Sequence, residues 1–369
     1  MSTGQGSDNI NCSDLLTSVI MSPTDCQRKQ KEELKKDMVT LKDVAKRAGV
    51  SPSTVSRTLS NRVFVEEETR EKVMKAVKEL NYQPSITARA LREGKTYSLA
   101  LLVPDINSLF YPEIMGEIEK VASDQGYTIL LCNCNESLEK EKQTLSLVCG
   151  RGVDGILCLS VKDEISHLLS VEQEKKIPVV LVNRNGSGSL SSISIDDEYG
   201  GYLMTRTLLE KGHVRIAGIF GGFEHERFRN RYSGCRRAME ECGIQDYKRY
   251  FCYDINSVEE AYQKTREMLN REDRPTAFFA TMDVLTFGIY RGIADSGLRI
   301  PDDISVVGYD DIFMAKYMIP SLTTYHAPMD QIAGKAVELL KKKIDEPESK
   351  PERIVIKGSL MSRQSVKAL

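Results

Sequence analysis

VTLKDVAKRAGVSPSTVSRTLSN, Val39–Asn61, decides how this chain is read. Leu41, Val44, Ala45 and Ala48 recur at the spacing of one buried helical stripe. Thr40 stands just before that stripe and Asp43 three residues later, where each can satisfy the other's backbone N–H. Gly49 ends the first helix. Ser51 caps a second, whose first position is Pro52, where a missing N–H costs nothing. Val55 and Leu59 face back onto the first helix. A third helix beginning near Glu66 offers Val73, Ala76, Val77 and Leu80 as a supporting core. Two helices, a glycine turn and a third helix behind them make a helix-turn-helix head.

The second helix has the chemistry of a major-groove reader. Pro52, Ser53 and Thr54 keep bulk low at its amino end, so the backbone can approach base edges. Ser and Thr hydroxyls donate or accept, and a Thr methyl can meet a thymine methyl. Arg57, one turn on, has the fork that fits O6 and N7 of guanine. The hydroxyls of Thr40 and Ser56 suit phosphates. Ser51, Leu41 and Asn61 complete the candidate contact set. The plainer reading is a solvated helical hairpin whose Ser and Thr residues are only caps.

Charge is distributed accordingly. The whole chain carries 51 Lys and Arg against 53 Asp and Glu. From Val39 to Lys95, however, twelve basic residues face seven acidic ones, whereas residues 1–38 carry five against six and the remainder is acidic. A small basic module is joined to a larger acidic body. The length, 369 residues, calls for two or three domains. No apolar run is long enough to span a bilayer, and the start lacks a basic region followed by an apolar core, so a cytoplasmic protein with no membrane partner is expected. Nine cysteines show no metal-ligand spacing and are expected to be reduced thiols. Residues 1–38 are polar, aperiodic and expected to form a disordered leader, with Met38 a natural start.

After the head (39–82), residues 83–96 form a short helical segment, too weak to hold alone in water and in need of a partner. From Tyr97 the pattern alternates strand and helix. SLALLVPD, YTILLCNC, GVDGILCLS, IPVVLVNR, RIAGIFGG, TAFFATMD and ISVVGYDD read as strands, with helices starting near Tyr111, Ser137, Glu198, Asn230, Val258 and Val284. Continuous apolar runs indicate parallel sheets covered on both faces. The length of the body predicts two α/β lobes, about 97–196 with 329–345 and about 197–328 with 346–360, followed by a tail at 361–369. Asp283, at a strand end, is a candidate cleft residue.

TLKDVAKRAGVSPSTVSRTLSN, ETREKVMKAVKELNYQPS and ARALREGKT resemble the head and hinge of the lactose-repressor/galactose-repressor family of bacterial regulators. PDINSLFYPEI, RGVDGILCLS, SISIDDEYGG, LLEKGHVRIAGI and ISVVGYDDI extend the resemblance to residue 360. The resemblance implies a two-lobed body like the periplasmic sugar-binding proteins, a homodimer on a palindromic double-stranded operator, and control by a small-molecule effector such as a sugar. It implies hinge segments paired in the minor groove, with Leu91 wedging into the central base step beside Ala88 and Arg92. It places effector contacts at Phe110, Tyr111, Arg231 and Asp310. Ile255 stands where many members have an aromatic, and Met282 where many have Asn, which predicts a less polar pocket. The absence of a C-terminal heptad repeat predicts a dimer rather than a tetramer.

Alternatives remain at this stage. Some members answer to a phosphorylated carrier protein, and the sign of regulation, repressor or activator, is not written in the chain. An enzyme is disfavoured: RIAGIFGGFEHER lacks the Lys-Ser/Thr of a phosphate loop, no nucleophile motif appears, and no cofactor is implied. A stand-alone solute-binding protein would need no basic head.

Overall fold

The computed structural model describes residues 39–60, 64–82, 94–159, 164–184 and 188–369. The expectations for residues 1–38, for Asn61 and for the hinge segment over 83–93, with Ala88, Leu91 and Arg92, lie outside the described residues. The chain divides into two compact units, one ending at Arg92 and one beginning at Glu93.

The first unit contains α1 (Leu41–Ala48), α2 (Pro52–Ser60) and α3 (Glu67–Glu79). Thr40 and Asp43 form the expected reciprocal cap, with the Asp43 carboxylate accepting from the Thr40 backbone at 2.9 Å and its hydroxyl at 2.6 Å. Those bonds hold the Asp43 carboxyl below its ordinary value. Gly49 has φ 69, a left-handed conformation that lets the chain turn at once into α2. Ser51 accepts from the Thr54 N–H at 3.1 Å and so caps α2. Val44, Ala45, Val55, Val73, Ala76 and Tyr82 form the buried core. With so few core side chains, at about 1.5–3 kcal/mol each when fully buried, cap losses are felt.

The second unit has the βα alternation the sequence announces. In chain order it runs β1 (Ser98–Val103), α4 (Tyr111–Asp124), β2 (Thr128–Asn133), α5 (Leu138–Gly150), β3 (Gly155–Cys158), α6 (Ser166–Lys175), β4 (Val179–Val182) and β5 (Ser191–Ile195). It continues through α7 (Asp197–Leu209), β6 (Ile216–Ile219), α8 (Glu226–Glu241), β7 (Phe251–Cys252), α9 (Val258–Leu269) and β8 (Ala277–Ala280). The last elements are α10 (Asp283–Asp295), β9 (Ser305–Asp310), β10 (Thr323–His326), α11 (Met329–Asp345), β11 (Arg353–Ile356) and β12 (Ser359–Met361).

Two six-stranded sheets result, in the orders β11-β5-β4-β3-β1-β2 and β12-β10-β9-β8-β6-β7. All pairings are parallel except that of β12 with β10. The chain passes between the sheets three times, at Ile195–Asp197, His326–Met329 and Ile356–Ser359. Helix α11 returns to pack on α4 and the first sheet.

Two expected boundaries are corrected. Residues 346–360 were assigned whole to the second lobe, yet β11 pairs with β5 and extends the first sheet. Its alternating RIVI pattern fits an edge strand, and strand order cannot be read from local pattern. The expected tail at 361–369 is instead built into the second lobe. Ser365 is fully buried, its carbonyl accepts from the Val306 N–H at 2.9 Å, and the Lys367 N–H donates to Ser305 Oγ at 3.0 Å. His213 holds the same segment, with Nε2 at 3.0 Å from the Lys367 carbonyl, and burial lowers its pKa.

Helices α7 and α8 cross closely. A Cβ at Gly201 would strike the backbone oxygen of Arg231, and one at Gly234 that of Glu198. Two glycines thus let Arg231 on α8 reach Asp197 at the start of α7.

Candidate functional site

On the head, Ser51, Pro52, Ser53 and Arg57 are exposed, and Thr54 and Ser56 half-buried, along the first two turns of α2. Val55 and Thr58, on the opposite face, are buried. The helix is therefore held from behind while its amino end faces solvent. The plainer reading holds in part: the Thr40 and Ser51 hydroxyls are engaged in caps, and Ser51 Oγ also lies 2.7 Å from Ser53 Oγ and 2.9 Å from Thr54 Oγ1. Leu41 is half-buried against the head core.

In the body, strand ends from both sheets converge on one cleft with about 360 Å³ of empty space. The first lobe supplies Ser108, Phe110 and Tyr111 after β1, and Asn183 after β4. The second supplies Arg227, Phe228 and Arg231 on α8, Met282 and Val284 after β8, and Asp310 at the end of β9. Ligand sites of open α/β sheets lie at such carboxyl ends.

Arg231 is the centre of the cleft floor. Its side chain is 2% exposed, Nε donates to Asp197 Oδ1 at 2.8 Å, and Nη1 reaches Asp310 Oδ1 at 3.4 Å and the Thr281 carbonyl. The guanidinium lies over the Tyr309 ring, 3.6 Å from its centroid, and the Tyr309 hydroxyl donates to the same Asp197 oxygen at 3.0 Å. Burial works against the charge, but Asp197, Tyr309 and Asp310 outweigh it, and the pKa of Arg231 is raised. Burial pushes the Asp310 carboxyl up to about 7, with Arg231 and Arg227 pulling the other way. Asp310 also has φ 117, well outside the left-handed helical region that Asp tolerates. Such strain gathers at ligand sites.

Phe110, Tyr111, Arg231 and Asp310 therefore meet as expected candidates, but two others do not. Asp283 is fully buried under the floor, where it accepts from Thr324 Oγ1 at 2.7 Å and the Ile312 N–H at 3.0 Å. Burial, then the Asp310 charge, raises its pKa well above the ordinary carboxylate range. It pins α10 to β10. Ile255 packs in the second-lobe core, its N–H donating to the Phe220 carbonyl at 3.0 Å. Arg231 is also not at the helix start, because α8 begins at Glu226 rather than near Asn230. Arg227 and Asn183 were missed. The signal for Arg227 was its place one turn before Arg231, which puts both on one helical face.

Two family descriptions match the chain: "Bacterial regulatory proteins, lacI family" over residues 40–85 and "Periplasmic binding protein-like domain" over residues 205–366. The HTH-type transcriptional repressor PurR of Vibrio vulnificus (strain CMCP6) is 37% identical over 335 residues, covering 90% of this chain and 100% of that protein. The solved structure of the lac repressor dimer bound to operator and the anti-inducer ONPF matches with TM-score 0.80 at 28% identity, over 90% of this chain and 100% of that one. The complex of the transcriptional regulator CelR with cellobiose matches with TM-score 0.68 at 30% identity, over 89% of this chain and 99% of that one. Among the described residues no helix is long and apolar enough to cross a membrane. The chain belongs to the lacI family of bacterial regulatory proteins: it is a DNA-binding transcriptional repressor with a small-molecule-binding body, not an enzyme.

Proposed function

We propose that this repressor binds a palindromic operator as a homodimer at the nucleoid, and that a small polar molecule in the interlobe cleft sets its affinity. The carrying observation is the cleft itself, where aromatic side chains of one lobe face Arg231 and Asp310 of the other. The lac repressor neighbour is a dimer on operator, and the CelR neighbour holds cellobiose, which supports both parts of the reading.

Helix α2 enters the major groove amino end first, with Ser53, Thr54 and Arg57 on base edges. Thr40 and Ser56 take phosphates, and Asn61 follows at the helix end. Segment 83–96 pairs with its twin in the minor groove, with Leu91 as the wedge flanked by Ala88 and Arg92. The exposed side chains of Phe313, Met314, Tyr317 and Ile319 form an apolar surface on the second lobe and supply the dimer contact. Ligand binding acts only through its different affinity for open and closed lobes. Three chain crossings make closure a hinge motion, and covalent continuity through 83–93 passes it to the head.

Genomic footprinting with purified protein tests the reading. Protected sites with two symmetric half-sites are expected, and calorimetry with metabolites of the adjacent genes should find one whose binding changes operator affinity. Protection without dyad symmetry, or a body that binds such a metabolite without effect on DNA binding, counts against it.

A further inference from the structure

Within the cleft, and resting on its reading as the effector site, two polar groups have no protein counterpart among the described residues. Arg231 is neutralised by Asp197 and Asp310, whereas Arg227, one turn earlier, has no carboxylate within ion-pair distance. Its Nη1 meets only the Tyr111 hydroxyl, at 3.4 Å, and the Phe228 ring centroid lies 4.8 Å from its guanidinium carbon. Nε is shut off from solvent and unpartnered. The Nε–Nη2 edge, the one that takes two oxygens side by side, is thus unused. On the other lobe Asn183 is 8% exposed, and both its amide oxygen and its amide nitrogen are buried without a partner.

Groups in this condition are costly unless something pairs them. A guanidinium edge without a protein partner calls for an anion, and its planar fork fits a planar two-oxygen anion best. The amide opposite can donate to an oxygen of the ligand and accept from a ligand hydroxyl. Phe110, Tyr111 and Phe228 supply apolar walls, and Met282 and Val284 leave few further polar contacts. We propose that the effector of this repressor bears a carboxylate, gripped by the Nε–Nη2 edge of Arg227 and met from the facing lobe by the Asn183 amide.

The proposal has a signature in pH. The groups that bear on Asp310 are Arg231 and Arg227 on α8, Asp197 on α7 and the neighbouring Asp283 on α10. A bound anion adds negative charge beside Asp310, and so favours its protonated form. Anion affinity therefore rises as pH falls through about 7, where the Asp310 carboxyl gains its proton. A neutral polyol that donates to Asp310 has the opposite dependence.

The test uses the full-length protein and four probes: sodium acetate as the minimal carboxylate, inorganic phosphate, D-glucose, and sodium chloride at matched ionic strength. Thermal unfolding is followed as each is raised to tens of millimolar. Acetate is expected to raise Tm beyond chloride, and Arg227→Met to weaken its apparent Kd by about tenfold or more. Arg227→Lys, which keeps the charge and loses the fork, should recover only part. The wild-type Kd should weaken up to about tenfold from about pH 6 to about pH 8. Equal stabilisation of wild type and Arg227→Met, or none by acetate, overturns the proposal. Stabilisation by phosphate without acetate overturns the carboxylate. A neutral sugar that alters operator binding where acetate has no effect overturns the proposal and leaves the effector cleft standing. Loss of symmetric operator binding by the wild type would defeat the broader reading, while the acetate titration still decides this one.

Discussion

The head and the cleft each present a candidate recognition arginine, and they hold it in opposite ways. Arg57 is exposed on a helix whose core is made by other residues. Arg231 is buried and ion-paired, with its own backbone packed under Gly201, so it is part of the fold as well as the site. The head core does not draw on the Arg57 side chain. On the cleft floor the two arginines differ: Arg231 is ion-paired to Asp197 and Asp310, whereas Arg227 has no carboxylate within ion-pair distance among the described residues.

The sharpest way to break that contrast is Arg231→Ala. It leaves Asp197 and Asp310 buried beside an empty space, and removal of one partner from such a pair costs about 3–5 kcal/mol. Chemical denaturation of the body should show this loss; a change below about 1 kcal/mol would mean the clamp is dispensable.

Titration gives the next test. The Asp310 carboxyl is raised from 3.8 to about 7, so the folded body binds a proton that the unfolded chain releases. Its contribution favours folding below about pH 4 and is lost as pH climbs from there to about 7. Asp310→Asn should flatten the stability profile in that window, measured by urea unfolding at several pH values. An unchanged profile would place the proton elsewhere, with Asp283 the neighbour to examine.

Arg57→Ala should cost about 1–3 kcal/mol of operator binding, with preference relaxed at one position of each half-site. A uniform loss across single-base operator variants would reduce Arg57 to a phosphate contact. The smallest effect is expected from Ser51→Ala, where the lost cap costs the head about 1 kcal/mol in thermal unfolding. A larger drop in DNA affinity than in stability would show that Ser51 also touches the operator.

The same contrast explains what could be read from the sequence. The head's caps, glycine turn and core stripe are all local, and each recurs in the structure at the position its spacing implies. The apolar strands of the body were equally legible. Ser191–Ile195, Thr323–His326 and Arg353–Ile356 were not read as strands, because their polar or short patterns acquire meaning only beside a neighbour far away in sequence. The cleft was legible in part. Asp283 stands at a strand end like a ligand residue, and only its bond to Thr324, 41 residues on, reveals a structural pin. Of Arg227, Arg229 and Arg231, no local rule says which finds Asp197 across the α7–α8 crossing.

β11 and β12 follow every other described strand in chain order, yet they complete different sheets. Each lobe takes one strand from chain made after its other strands, so neither sheet is complete until that chain has been made. The head, made first and closed by its own short-range contacts, has no such delay. The order of synthesis thus gives a finished DNA-facing module well before either sheet of the body is complete.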